Sequence, residues 1–138
     1  MYVIMYMNMH DPSTRQELSR LRQRLRRLIE RLERILQPAH ERSPMIKGTV
    51  YELARKCGTP GCRCARGELH RSMVLSWSEG GKTRLKSLKP EQVEEVRRKS
   101  KVYARFRRSR ADVTRISQEI LAVLDRIEEL RREEFPDG

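Results

Sequence analysis

The chain has 138 residues, of which 36% are charged, 37% hydrophobic and 5% aromatic, and its net charge is +12. This length suits one ordinary domain and is too short for two independent ones. So polar a composition excludes a thick globular core, and the absence of any run of about 18 apolar residues excludes a membrane span. Residues 1–10 lack the basic start of a signal peptide, so we expect a cytoplasmic protein. Their repeated methionines predict a disordered or mis-assigned start.

The positive charge is concentrated in the middle of the chain. Residues 42–110 hold 19 Lys/Arg against 6 Asp/Glu (+13), residues 1–41 hold 8 against 5 (+3), and residues 111–138 hold 4 against 8 (−4). A local positive field attracts polyanions, with nucleic acid as the first candidate and an anionic membrane as the second. The alternative is a surface whose charge only keeps the protein in solution.

A first helix is predicted over residues 11–37. Asp11 or Ser13 can cap its amino end, and Pro38 stops it. Its apolar residues recur at spacings of three and four, which is the a/d pattern of a coiled-coil seam: Leu18, Leu21, Leu25, Leu28, Leu32 and Ile35.

A second, longer helix is predicted over residues 90–134. The same rhythm runs through its later part, at Val113, Ile116, Ile120, Val123, Ile127 and Leu130. Neither apolar row can stay exposed, so the two helices are expected to pair as a coiled coil, within one chain or between chains. A homodimer through the helices is one expected outcome.

Residues 46–89, between the helices, are expected to form a β-rich head. Gly48–Lys56 reads as a strand, and residues 73–77 and 83–88 read as a β-hairpin around Gly80-Gly81. The fold class is therefore α+β and mainly α, with a small zinc-stabilised β-hairpin head between two paired helices. The apolar residues available to the head are few: Val50, Tyr51, Leu53, Met73, Leu75, Trp77, Leu85 and Leu88.

A metal-binding motif lies in the head, at Cys57, Cys62, Cys64 and His70. The two cysteines at positions 62 and 64 would point the same way in an extended segment, and Gly67 lets the chain turn back toward His70. Three thiolates and an imidazole suit tetrahedral Zn²⁺. Because four protein ligands would close the site, we expect a structural Zn²⁺ that stabilises a head too small to fold on burial alone.

Two alternatives to the metal remain open. The cysteines could be ordinary thiols beside a surface histidine, or one of them could be a redox or catalytic group. Glu68 is the one nearby carboxylate that could act as a general base, and a single carboxylate beside a saturated metal provides no mechanism. The sequence therefore predicts no enzyme and no small-molecule substrate.

The motif resembles an uncharacterised family of short bacterial and archaeal proteins. That family's pattern, Cys-Gly-x-Pro-x-Cys-x-Cys-Ala-x-Gly followed by a His, a Gly-Lys-Thr hairpin and a Tyr/Arg-rich helix, is similar to residues 57–70, 81–83 and 102–106 here. The resemblance covers about residues 46–130. Arg71-Ser72 stand where that family often has Gly-Pro, and Met73-Val74 stand where aromatic residues are common. The resemblance implies a fold and assigns no activity.

The first functional hypothesis is a nucleic-acid-binding protein, with DNA favoured over RNA, acting as a regulator or accessory factor. Its candidate contacts are basic residues around the motif, on the hairpin and along the start of the second helix: Arg55, Lys56, Arg63, Arg66, Arg71, Lys82, Arg84, Lys86, Arg97, Lys101, Arg105 and Arg108. The competing interpretation is that these cations pair with acids or only solvate the surface. The second hypothesis is a coiled-coil interaction or assembly module with a purely structural zinc head.

Overall fold

The computed structural model describes residues 10–136. The fold is α+β and mainly helical with one antiparallel sheet, which confirms the predicted class at this level. The expectation for residues 1–10 falls, apart from His10, outside the described residues. The described chain divides into two compact units, which we call the helical unit (residues 10–40 and 109–136) and the sheet unit (residues 41–108). No helix within residues 10–136 is long and apolar enough to cross a membrane.

The helical unit contains α1 (Pro12–Ile35), the single-turn α2 (Gln37–His40) and the later part of the 39-residue α3 (Val93–Arg131). Asp11 is the N-cap of α1, with Pro12 in the first turn. The Asp11 carboxylate makes no capping bond to the backbone and accepts a hydrogen bond from the Ser13 hydroxyl at 2.8 Å.

The apolar rows of α1 and α3 meet in one hydrophobic cluster within the chain. Leu28, Ile116 and Val123 are its buried members. Six more residues of the two rows pack against them: Leu21, Leu25, Leu32, Ile35, Ile120 and Ile127. The helices run antiparallel, because the Arg126 guanidinium donates to the Glu17 carboxylate at one end and the Ser109 hydroxyl donates to the Ile35 carbonyl at the other.

The sheet unit is built on three antiparallel strands in the order β1 (Thr49–Arg55), β2 (His70–Glu79) and β3 (Lys82–Ser87). A two-residue turn at Gly80-Gly81 joins β2 and β3. The central strand begins at His70, three residues before the predicted hairpin strand, so it reaches the metal-binding motif.

The core of the sheet unit differs from the one expected. Val74 and Leu75 are the buried aliphatic residues, at 2% and 8% exposure, whereas Tyr51 and Leu85 are 38% and 49% exposed. Val74 is absent from the apolar residues that the sequence analysis assigns to the head. In the central strand, consecutive residues point to opposite faces and both are buried here.

The start of α3 is hydrogen-bonded to the segment that leads into β1. A 3₁₀ turn at Pro90–Gln92 leads into α3, and the Ile46 N–H donates to the Lys99 carbonyl at 3.1 Å. The Ser100 hydroxyl donates to the Gly48 carbonyl. Gly48 has a φ of +134°, and a Cβ there would lie 2.6 Å from the Ser76 carbonyl oxygen, so this close approach requires glycine.

Candidate metal centre and basic surface

The four predicted metal ligands converge at one end of the sheet. Cys57 follows β1 by two residues, and His70 is the first residue of β2, where it lies opposite Arg55. Between them, Cys62 precedes a 3₁₀ helix at Arg63–Arg66 that contains Cys64. Gly67 ends this turn with a φ of +106°, which L side chains rarely adopt, and the chain then enters β2.

The ligand atoms of the four residues all lie within 4.8 Å of one another. The Sγ atoms of Cys57 and Cys64 are 3.4 Å apart, and Cys62 Sγ is 3.1 Å from His70 Nε2. With Zn–S bonds of about 2.3 Å, two sulfurs of a tetrahedral site stand about 3.8 Å apart. The donor set and its spacing therefore fit a zinc ion, and the prediction that these residues are close enough to bind one is confirmed.

The local backbone differs from the one expected for this motif. The Cys62–Cys64 segment is not extended, because Ala65 N–H donates to the Cys62 carbonyl at 3.1 Å and Gly67 N–H to the Cys64 carbonyl at 3.4 Å. The helical turn directs the Cys64 side chain inward to 1% exposure, while His70 stays exposed. The Cys64 thiol is thus buried against Cys57, while the exposed imidazole contacts Cys62.

The protonation of the cluster is set by its own hydrogen bonds. The Thr59 hydroxyl, followed by the Thr59 backbone N–H, lowers the pKa of Cys57 to about 6. The backbone N–H of Cys64, followed by the His70 side chain, lowers the pKa of Cys62. The Cys57 N–H acts to lower the pKa of Cys64, but burial and the neighbouring thiols outweigh it and raise that pKa. Hydrogen bonding to Cys62, then to Cys57, raises the pKa of His70. Two of the thiols are therefore biased toward the thiolate form that binds metals.

Four of the predicted cations flank the cluster along the chain. Arg55 and Lys56 precede Cys57, and Arg63 and Arg66 begin and end the 3₁₀ helix. All four are exposed, and none has an acidic partner within residues 10–136. Three thiolates and one Zn²⁺ would sum to a charge of −1, so these cations would leave the region positive.

Four other predicted cations are paired with acids. Arg71 lies 3.3 Å from Glu52, and Arg84 lies 3.9 Å from Glu79. On α3, the paired residues are Arg97 with Glu94 at 3.3 Å and Arg105 with Glu41 at 3.0 Å. The competing interpretation, that the cations pair with acids, thus describes these four.

The remaining four predicted cations are exposed and have no acidic partner among the described residues. Lys82 and Lys86 lie on β3, while Lys101 and Arg108 lie on α3. The predicted stripe along α3 is therefore half paired.

A groove of about 370 Å³ on the sheet unit was not expected from the sequence. Its walls include Trp77 and Leu75 together with Lys47 and Lys86. From the sequence, Trp77 counts among the apolar residues available to the core of the head, and Lys47 is not among the predicted contacts. A signal was available, since the Gly-Gly turn sets the register that places Trp77 opposite the cation Arg84.

Comparison with known proteins places the chain in one family. No curated protein and no solved structure matches it. A family profile matches residues 16–98, which include all four candidate ligands, all three strands and the beginning of α3. That match covers more than half of the chain. The protein therefore belongs to the family described as Domain of unknown function (DUF6788).

Proposed function

We propose that this protein binds nucleic acid, with DNA as the expected partner, through the cations that a structural zinc centre holds at the end of the sheet. The observation that carries the proposal is the separation of charge between the two units. The sheet unit holds 18 Lys/Arg against 7 Asp/Glu, a net +11, whereas the described helical unit holds 13 against 11, a net +2. A field confined to one unit favours a polyanion there.

The best-placed contacts are Arg63 and Arg66. Both are exposed and lack an acidic partner among the described residues, and they lie on the short turn that also carries Cys64. A metal bound to this turn would fix their backbone, which reduces the entropy lost when they bind phosphates or guanine edges. The proposal gives the metal a scaffolding role in a cytoplasmic regulator or accessory factor and assigns no reaction to the site.

The test is a salt titration of the zinc-loaded protein against duplex and single-stranded DNA and RNA of mixed sequence. For duplex DNA, the logarithm of the binding constant should fall with the logarithm of salt concentration, with a slope of about −0.9 for each phosphate contact. Failure to bind any of these nucleic acids at roughly 50 mM salt, where phosphate contacts are strong, would refute the proposal.

A matched pair of variants locates the surface. Arg63→Ala with Arg66→Ala should weaken binding and make the salt slope shallower by about 2, without lowering the melting temperature. Arg22→Ala with Arg26→Ala removes the same charge from exposed positions on α1 and should leave binding nearly unchanged. Equal losses from both pairs would show that only net charge matters. A lower melting temperature in the first pair would assign those arginines a structural role.

A second candidate function is assembly, in which the helices form an antiparallel coiled coil that also meets a second copy of the chain. It is favoured by large apolar residues that the helical unit leaves exposed: Ile29 at 46%, Leu121 at 58% and Leu124 at 44%. Sedimentation should then show a homodimer that Leu121→Glu with Leu124→Glu converts to monomer. A monomeric mass at every concentration would contradict this candidate.

A further inference from the structure

One face of the sheet combines an aromatic ring with a row of cations. In the register of β2 with β3, Trp77 lies opposite Arg84, Leu75 opposite Lys86 and Glu79 opposite Lys82. Directly opposed residues of antiparallel strands share a face, and alternate residues of one strand do too. Lys82, Arg84 and Lys86 therefore line the edge strand on the same face as the indole. Successive cations in this row are about 6.8 Å apart along the strand.

The groove of about 370 Å³ opens on this face. Trp77 is partly exposed and forms its wall with Leu75, and the Lys47 and Lys86 side chains border it. The volume lies near the lower end of the range of about 300–1,000 Å³ that ligand clefts occupy. An apolar wall bordered by cations suits a ligand with flat, weakly polar groups and regularly spaced negative charges.

Glu79 holds the indole by its edge. The Trp77 Nε1–H donates to the Glu79 carboxylate at 3.4 Å, and the same carboxylate lies 3.9 Å from Arg84. This hydrogen bond involves only the N–H group at the edge of the indole and none of the atoms on the ring faces. The carboxylate also offsets one positive charge of the row, so its removal should strengthen the attraction for an anion.

We propose that this face binds single-stranded nucleic acid, with a base stacked on Trp77 and phosphates along Lys82, Arg84, Lys86 and Lys47. The inference rests on the proposed nucleic-acid binding and names the strand state that this face selects. Aromatic side chains stack on the bases of single strands, whose faces are accessible. In a duplex, neighbouring base pairs cover those faces. Cations beside the ring supply the sequence-independent attraction to the backbone.

The experiment uses Trp77 itself as the probe, because it is the single tryptophan of the chain. Zinc-loaded full-length protein is titrated with a 15-nucleotide oligothymidine, the matching oligouridine and a mixed-sequence 15-base-pair duplex, while indole fluorescence and the anisotropy of a labelled strand are recorded together. Stacking should quench the indole with the single strands in step with anisotropy, and the duplex should change anisotropy with little quenching. Comparison of the affinities for oligothymidine and oligouridine shows whether the face prefers DNA or RNA.

Variants assign the effect to the face. Trp77→Ala should weaken single-strand binding between about 5- and 150-fold, from the range for one base stacked on an aromatic ring. It should leave duplex affinity within about twofold, because duplex binding relies on phosphate contacts. Trp77→Phe keeps a ring for packing and stacking and should restore most of the affinity. Glu79→Gln should tighten binding at low salt.

The outcomes distinguish failure of the sheet-face site from failure of nucleic-acid binding as a whole. Binding that is lost with Arg63→Ala and Arg66→Ala, but that neither quenches Trp77 nor responds to Trp77→Ala, overturns the sheet-face site and leaves nucleic-acid binding in place. Equal quenching by duplex and single strand overturns the selectivity. Absence of any binding at low salt overturns both. If Trp77→Ala unfolds the sheet unit, the quenching of the wild-type indole by single strands, compared with its quenching by the duplex, still decides the question.

Discussion

The helical unit and the sheet unit hold themselves together by different means. In the described helical unit, five large apolar side chains are at most 7% exposed: Leu18, Leu28, Ile116, Val123 and Leu130. In the sheet unit, Val74 and Leu75 are the aliphatic side chains buried to a similar degree, and the third buried apolar residue is the candidate ligand Cys64. One unit thus relies on a continuous apolar row, while the most buried side chain of the other belongs to the candidate metal centre.

The charge follows the same division. The net +11 of the sheet unit lies on the part of the chain with the smaller apolar core, where self-repulsion opposes folding. Ordering a residue costs about 1–2 kcal/mol in backbone entropy, and two buried aliphatic residues offset little of that over 68 residues. A metal that binds only the folded cluster supplies free energy that does not depend on core size. The sheet unit therefore combines a strongly basic surface with a small apolar core, and a metal bound by its cysteines would compensate for the missing packing.

Metal removal should produce the largest difference in stability between the two units. Structural zinc sites contribute on the order of 10 kcal/mol at neutral pH. A chelator should therefore abolish amide protection across β1, β2 and β3 while α1 and the later part of α3 keep theirs, as measured by hydrogen exchange with mass spectrometry. Cys64→Ser should reproduce the chelated state without chelator. Unchanged protection of the strands in the zinc-free protein would contradict the scaffolding role.

Truncation of a side chain in the apolar row tests whether packing stabilises the helical unit. Ile116→Ala empties a site that is 2% exposed and should cost about 2–5 kcal/mol of unfolding free energy, located in the helical unit. Leu121→Ala, on the same helix but 58% exposed, should cost less than about 0.5 kcal/mol. Chemical denaturation of both variants with zinc bound measures the difference. Equal losses would mean that Leu121 is covered, as in the dimer of the second candidate function.

The two apolar rows and the four candidate metal ligands could be predicted from the sequence because each is a local pattern. Rows spaced by three and four indicate a buried helical stripe in any fold, and the cluster of Leu28 with Ile116 and Val123 shows them meeting. The cysteine spacing likewise constrains where four ligands can converge. It did not determine the backbone between Cys62 and Cys64, since an i, i+2 pair can converge on a metal from a strand or from a 3₁₀ turn.

What the sequence could not supply depends on contacts between distant residues. Arg71 pairs with Glu52, 19 positions away, and Arg105 pairs with Glu41, 64 positions away. Counting acids near each cation misses such partners. The partial exposure of Trp77 was missed for a related reason, because segments distant in sequence decide which side chains on each face of the sheet are covered.

The ion pair of Glu17 with Arg126 offers the finest test of the helical unit, with the smallest expected effect. The Arg126 guanidinium donates hydrogen bonds to the Glu17 carboxylate, and these lower the pKa of Glu17 from the ordinary 4.5. Desolvation opposes this shift, and the positive charge of Arg126 adds to it. The unfolded chain therefore binds this proton more readily than the folded one, so the pair's contribution is complete above about pH 4.5 and is lost as pH falls through the lowered folded value. Both side chains are more than a third exposed, at 37% and 35%, so solvent screening keeps the effect small. Unfolding midpoints of wild type and Glu17→Gln should differ near pH 6 and converge in acid; a difference that grows in acid would contradict the assigned sign.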